Sequence, residues 1–322
     1  MGRLVAVSLS PAVDRTYQVP GLRTGALHRV DPPVVSAGGK GVNVARVLSC
    51  LGESPLLAGF FAGGTGAFVR RALEQCGVEV LAEEVEGETR TNLNLIDPDA
   101  GQETEILEPG PVVDREALQR LSKALVDRVG PGDTVILSGS MPAGVPPEFY
   151  SSWVPGFLAR GARVVLDTSG AALRKTLPMR PTACKPNRRE LASLPGLDLP
   201  DGVDGLSAAE FCRVVAGPVR RLQIPWLLLS MGADGACLYT DDSCVRALPM
   251  PVQAVNPIGS GDAMTAGLAL AIHRNLDPAS GLRLATACAV SNALQPSVGL
   301  VDPAQVAWLR TLCALETIPC ET

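Results

Sequence analysis

Leu4-Val-Ala-Val-Ser-Leu9 is apolar at every position but one. A strand with one solvated face alternates polar and apolar residues, whereas a short run without alternation suits a strand covered on both faces, as strands of parallel sheets are. Residues 55–61, 134–138, 163–166 and 226–230 repeat the signature. Between these runs lies helical periodicity. Residues 41–51 set Val44, Val47, Leu48 and Leu51 on one face; residues 114–129 open on Asp114, a good N-cap, and continue with Leu118, Leu121 and Leu125. Strand and helix alternate, so the chain reads as α/β with a mostly parallel central sheet.

Residues 14–35 and 88–107 break that rhythm. In the second of them Thr91-Asn-Leu-Asn-Leu-Ile96 alternates before the turn Asp97-Pro-Asp-Ala-Gly101. Both are expected to supply strands of a smaller sheet that forms a flap over the edge of the main one, and residues 1–322 are read as one domain.

The chain has 322 residues, 46% apolar and 19% charged, a composition suited to a compact fold. Its net charge of −5 and pI near 5.2 argue against a nucleic-acid binder, so an anionic ligand must be held by a few local cations. The lysines are Lys40, Lys123, Lys175 and Lys185. Nine cysteines without CxxC or zinc-site spacing read as reduced, mostly buried thiols. Residues 1–10 lack the pattern of a signal peptide and no apolar run approaches a membrane span; a cytoplasmic protein is expected. His28, His273 and Arg29 are expected at the surface, since two histidines are too few for a metal or triad site.

Three segments carry chemistry. Asn256-Pro-Ile-Gly-Ser-Gly-Asp262 runs into an apolar helix, and a glycine turn at a helix start can aim unpaired N–H groups at a phosphate. A carboxylate there is either an N-cap or the acceptor of a proton from an attacking hydroxyl. Ala37-Gly-Gly-Lys-Gly-Val-Asn43 likewise opens a helix without Walker spacing. Its Gly38, Gly39, Lys40 and Asn43 suit a polyhydroxylated anion, or else form a structural turn. In Lys185-Pro-Asn-Arg-Arg-Glu190, Asn187 and Glu190 share a face that either holds magnesium through water or caps a helix. No Gly-x-Gly-x-x-Gly follows the first strand, which sets aside a nicotinamide-dependent dehydrogenase.

Taken in order, these segments together with Ser8-Leu-Ser-Pro-Ala-Val-Asp14, Thr89-Arg-Thr-Asn92, Ser138-Gly-Ser-Met-Pro-Ala-Gly144 and Ser230-Met-Gly-Ala-Asp-Gly-Ala236 resemble the ribokinase-like, PfkB-type carbohydrate kinases over nearly the whole chain. The resemblance implies a three-layer α/β/α fold with a small β-sheet lid and ATP and Mg2+ as cofactors; flap edges open to solvent tend to pair, so a homodimer through the lid is expected, and charge and hydropathy speak against nucleic acid or membrane as partner. The Gly-Gly-Lys-Gly form and the opening Pro11-Ala-Val-Asp14 look like the branch acting on sugar phosphates, which includes 1-phosphofructokinases and tagatose-6-phosphate kinases.

Carried over residue by residue, the resemblance implies that Asp14 and Asn43 bind sugar hydroxyls at Gly38 and Gly39, while Lys40 and Arg90 hold the phosphate already present. Asp262 is then the base, and the backbone of Gly259, Ser260 and Gly261 an anion hole. Lys185, Asn187, Ser230, Gly232 and Gly235 would line the nucleotide site, with Asn292 beside adenine and Glu190 and Asn187 serving the metal through water. Ser260 and Ala263 depart from the usual base motif, Leu107 stands where sugar-phosphate members often carry Asn, and the proline-rich residues 194–206 replace a glycine-rich stretch. The alternatives are a same-fold kinase for an uncharged sugar or nucleoside, against which Lys40 and Arg90 speak, and a non-catalytic sugar-phosphate sensor, against which Asp262 speaks.

Overall fold

The computed structural model describes residues 2–319 apart from 198, 200 and 201; Met1, Cys320 and part of the proline-rich stretch 194–206 lie outside the described residues. Its strands are β1 (Leu4–Ser8), β2 (Ala12–Gln18), β3 (Val34–Gly38), β4 (Leu56–Phe61), β5 (Glu79–Glu84), β6 (Thr91–Asp97), β7 (Gln102–Leu107), β8 (Thr134–Ser138), β9 (Arg163–Asp167), β10 (Ala183–Cys184), β11 (Trp226–Ser230), β12 (Ala236–Tyr239), β13 (Cys244–Ala247) and β14 (Leu315–Thr317). Among the described residues the main sheet has the order β14-β13-β12-β11-β10-β9-β8-β1-β4-β5. It is parallel from β5 through β11 and antiparallel across the β12, β13, β14 edge.

The apolar runs follow from burial on both faces. In β1, Val5 and Val7 enter one core while Leu4 and Ala6 enter the other; in β8, Val135 and Leu137 part from Ile136 in the same way. The first core is closed by α3 (Arg115–Val126), α4 (Phe149–Ala159), α5 (Gly170–Thr176), α6 (Arg188–Ala192) and α7 (Ala208–Arg221). The second is closed by α1 (Lys40–Cys50), α2 (Gly63–Gln75), α8 (Ser260–His273), α9 (Pro278–Ala293) and α10 (Pro303–Leu312). This is the α/β/α layering expected from the sequence. Asp114 caps α3 as anticipated, accepting from the Ala117 N–H at 2.6 Å.

The smaller sheet is also present, in the order β3-β2-β6-β7, with β2 and β6 parallel and the outer pairs antiparallel. Its strands come from the two stretches that broke the α/β rhythm. The eight described cysteines are all free, and most are buried. His273 corrects the surface expectation: it is buried, with Nδ1 3.1 Å from Thr134 Oγ1, and that burial lowers its proton affinity. His28 is partly exposed and touches the Arg23 backbone, and Arg29 is exposed.

α8 and α9 approach closely because Gly267 lacks a side chain. A Cβ there would lie 2.6 Å from the Ala285 Cα, which is backbone and cannot swing aside. Gly267→Val is therefore expected to destabilise the fold by about 1–3 kcal/mol through overpacking, read as a lower urea midpoint with unchanged slope.

Candidate active site

Carboxyl ends of parallel strands leave a crevice where loops of the central sheet diverge. Here a cleft of about 420 Å3 opens at those ends, between the main sheet and the smaller one. Asp14, Gly39, Lys40, Asn43, Arg90, Lys185, Asn187, Glu190, Ser230, Gly259, Gly261 and Asp262 all line it, so segments far apart in sequence converge on one space.

The turn before α8 has Gly259 as N-cap at φ 81°, a left-handed conformation, and a Cβ would sit 2.5 Å from Val298 Cγ1. Glycine is required on both counts. Ser260 and Gly261 begin the helix; the Ser260 N–H donates to the Pro257 carbonyl at 3.2 Å, which leaves the Gly261 N–H at the helix mouth without a backbone partner. Asp262 is the third helical residue and makes no capping bond, so the capping alternative does not describe it. Its carboxylate accepts from Asn43 Nδ2 at 2.8 Å. Burial pushes its pKa up to about 6, against the pull of the Lys40 ammonium and with the help of the neighbouring Asp167 charge.

At the other end, Gly39 caps α1 at φ 94°, and the Asp14 carboxylate packs directly over Gly38, where any Cβ would collide with it. Asp14 pairs in register with Asn92 of β6 and accepts from its Nδ2 at 2.8 Å; burial nevertheless raises the Asp14 pKa. Arg90 donates to the Ser10 carbonyl at 3.3 Å and lowers its proton affinity by burial. Asn43 Oδ1, Asn92 Oδ1 and Arg90 Nε are buried without a hydrogen-bond partner, a cost that a polar ligand would relieve.

Asn187 and Glu190 form a full capping box on α6: Asn187 Oδ1 accepts from the Glu190 N–H and Glu190 Oε2 from the Asn187 N–H, both at 2.9 Å. Glu190 itself lines the cleft. No cluster of three or more His, Cys, Asp or Glu able to hold a metal occurs among the described residues. Such a set is consistent only with a metal held mainly by water and phosphate.

Gly232 and Gly235 do not line the cleft; both have positive φ in the turn between β11 and β12, and a Cβ on Gly235 would collide with the Ala247 carbonyl. Asn292 lies on α9. It is fully buried behind the glycine turn, donating to the Ile258 carbonyl at 2.9 Å and accepting from the Gly299 N–H at 2.9 Å. Its amide helps to shape that turn.

Asp167, at the end of β9, escaped the sequence reading. It is fully buried, with Oδ1 3.4 Å from Lys40 Nζ and 3.5 Å from Lys185 Nζ, and Oδ2 accepting from Thr265 Oγ1 at 2.6 Å. Burial alone would raise its pKa, but the two ammonium groups and the hydroxyl outweigh it and hold the pKa below the ordinary range. Asn92, Asn94 and Glu105 also line the cleft without having been singled out. The available signal was position: a carboxylate at the carboxyl end of a parallel strand.

Comparison with known proteins agrees with this geometry. Residues 1–305 match the family described as pfkB family carbohydrate kinase. The chain is 35% identical over 318 residues to 1-phosphofructokinase of Rhodobacter capsulatus, covering 98% of both chains. Phosphofructokinase-2 from Escherichia coli in complex with fructose-6-phosphate superposes with a TM-score of 0.85 at 25% identity, over 97% of this chain and 99% of that one. The tetrameric inhibited form of the same enzyme gives 0.84 at 25% identity, with the same coverage.

Proposed function

Because the chain belongs to the pfkB family of carbohydrate kinases, and so is an ATP-dependent kinase of sugar phosphates, we propose that it phosphorylates the free primary hydroxyl of a ketohexose phosphate, fructose 1-phosphate or tagatose 6-phosphate. The observation that carries the choice is that Lys40 and Arg90 line the same cleft as Asp262. Two cations near the acceptor are wasteful unless the acceptor already carries a phosphate.

In this reading Arg90 and Lys40 fix the resident phosphate while Asp14 and Asn43 orient hydroxyls. Asp262 takes the proton of the attacking hydroxyl as the γ-phosphoryl transfers in line. The turn of Gly259, Ser260 and Gly261 faces the charge that develops, with the Gly261 N–H open to it. Lys185, Asn187 and Ser230 receive the nucleotide, and Glu190 and Asn187 orient the water shell of Mg2+, whose charge offsets that of the phosphates. Residues 1–322 then act as one catalytic unit, with the smaller sheet as a lid that excludes water and so limits ATP hydrolysis. Val34, Val35, Ile106 and Leu107 on that sheet are exposed, which supports a homodimer built on the lid.

The test is coupled ADP release with MgATP against fructose 1-phosphate, tagatose 6-phosphate, fructose 6-phosphate, and free fructose, ribose and adenosine. Turnover confined to phosphorylated ketohexoses is expected; equal turnover of uncharged acceptors would remove the role given to Lys40 and Arg90. Asp262 must be ionised to accept a proton, and its pKa is about 6. The kcat/KM profile should therefore rise as pH increases through about 6 and flatten above it.

A further inference from the structure

We propose that Asp167 is a positioning residue that gathers Lys40 and Lys185 onto one buried carboxylate and thereby keeps both ammonium groups from pairing with Asp262. The inference rests on Asp262 being the base, and it concerns how that base stays usable between two lysines.

The two ammonium groups come from different parts of the site: Lys40 opens α1 at the sugar end, and Lys185 follows β10 at the nucleotide end. Each has a carboxylate it does not touch within ion-pair distance, Asp262, and one that it does, Asp167. A single Asp167 oxygen serves both lysines, while the other accepts from Thr265, one turn beyond Asp262 on α8. Asp167 therefore joins β9, α1, α8 and the segment after β10 through one side chain. Two cations near two carboxylates can be arranged in several ways, and the bond from Thr265 selects this one by fixing which carboxylate is the acceptor.

The burial of the partners differs. The Lys185 side chain is 4% exposed and Asp167 is inaccessible, whereas the Lys40 side chain is 40% exposed. Lys185 is thus held in place, and Lys40 has room to turn from Asp167 toward a phosphate entering the cleft. Once Asp167 is neutral, the nearest remaining anion for Lys40 is Asp262. The groups facing Asp262 are Lys40 and Asn43 from α1, Asp167 from β9 and Lys185 after β10. Removing the Asp167 charge leaves two cations beside the base with Glu190 as the other carboxylate acting on Lys40, which favours the ionised form of Asp262 and makes it a weaker proton acceptor.

The experiment compares pH–rate profiles of wild type, Asp167→Asn and Asp167→Asn/Lys40→Met, with Asp262→Asn in parallel and Mg2+ titrated at each pH. For Asp167→Asn, the acid limb of kcat/KM is expected to move to lower pH by roughly one unit and kcat to fall by about 10²-fold; removing Lys40 as well should carry the limb back toward wild type. Thr265→Val, which keeps every charge, should shift the limb the same way by less, and stands in if Asp167→Asn fails to fold. An unmoved limb with only a raised Mg2+ requirement would make Asp167 a metal-side group and overturn the proposal. An active Asp262→Asn would instead overturn the assignment of the base, a result distinguishable because it does not involve Asp167.

Discussion

Asp262→Asn is expected to lower kcat by about 10²–10⁴-fold, the usual contribution of a positioned general base, while the KM values for ATP and sugar phosphate change little. The amide is close in size to the carboxylate and can still bond to Asn43, which now donates at 2.8 Å, so the turn from Gly259 and the start of α8 should persist. What is lost is the acceptor. The variant should also lose the rise in kcat/KM near pH 6, since the group titrating there is gone. Steady-state kinetics with an ADP-coupled assay between pH 5 and 8 checks both points. A variant that kept most of its kcat would show that the hydroxyl proton leaves by another route and would return Asp262 to a structural role.

Arg90→Ala carries the second large effect, and it falls on binding rather than on chemistry. Arg90 reaches the cleft from the segment before β6, its guanidinium donating to the Ser10 carbonyl at 3.3 Å, and its Nε is buried without a partner. A guanidinium so placed gains most when a phosphate supplies the missing acceptors. Charge-assisted bonds of this kind are worth about 1.5–3 kcal/mol, so KM for the sugar phosphate should rise by about 10–10²-fold with kcat nearly unchanged. Free fructose is the control: whatever slow turnover it shows should be insensitive to Arg90. Equal losses for charged and uncharged acceptors would mean that Arg90 supports the lid, not the phosphate.

The parts of the fold legible in the sequence were those where one physical demand dominates. Strands β1, β8 and β11 are buried on both faces, and their apolar runs mark them almost to the residue. β5, at the sheet edge, reads Glu-Val-Leu-Ala-Glu-Glu and is half exposed, while the β12, β13, β14 edge is made of strands of three or four residues. Neither signal separates from the background. The glycines at 39 and 259 were legible because only glycine adopts their backbone without strain, and that requirement is local. Asp167 was not, since its meaning lies in two lysines and a threonine brought to it by the folded chain. The bonding of Asn292 was hidden for a related reason. An alanine-rich helix gives no polar face from which to tell an inward amide from one turned to a ligand, and only the bonds to Ile258 and Gly299 decide it. His273 likewise looked like a helix-end surface residue, yet α8 is buried along nearly its whole length.

β1 is the first strand of the chain and lies inside the sheet, between β4 and a β8 that begins only at Thr134. During synthesis its apolar faces must wait for both neighbours, so the nascent chain passes through a stage in which the middle of the sheet is made and its flanks are not. The same order governs chemistry. Asp14, Lys40, Asn43 and Arg90 precede Asp262 in the chain, so four of the cleft residues are synthesised well before the fifth. A translation product arrested before α8 lacks the glycine turn and Asp262, and so lacks the base of the proposed reaction.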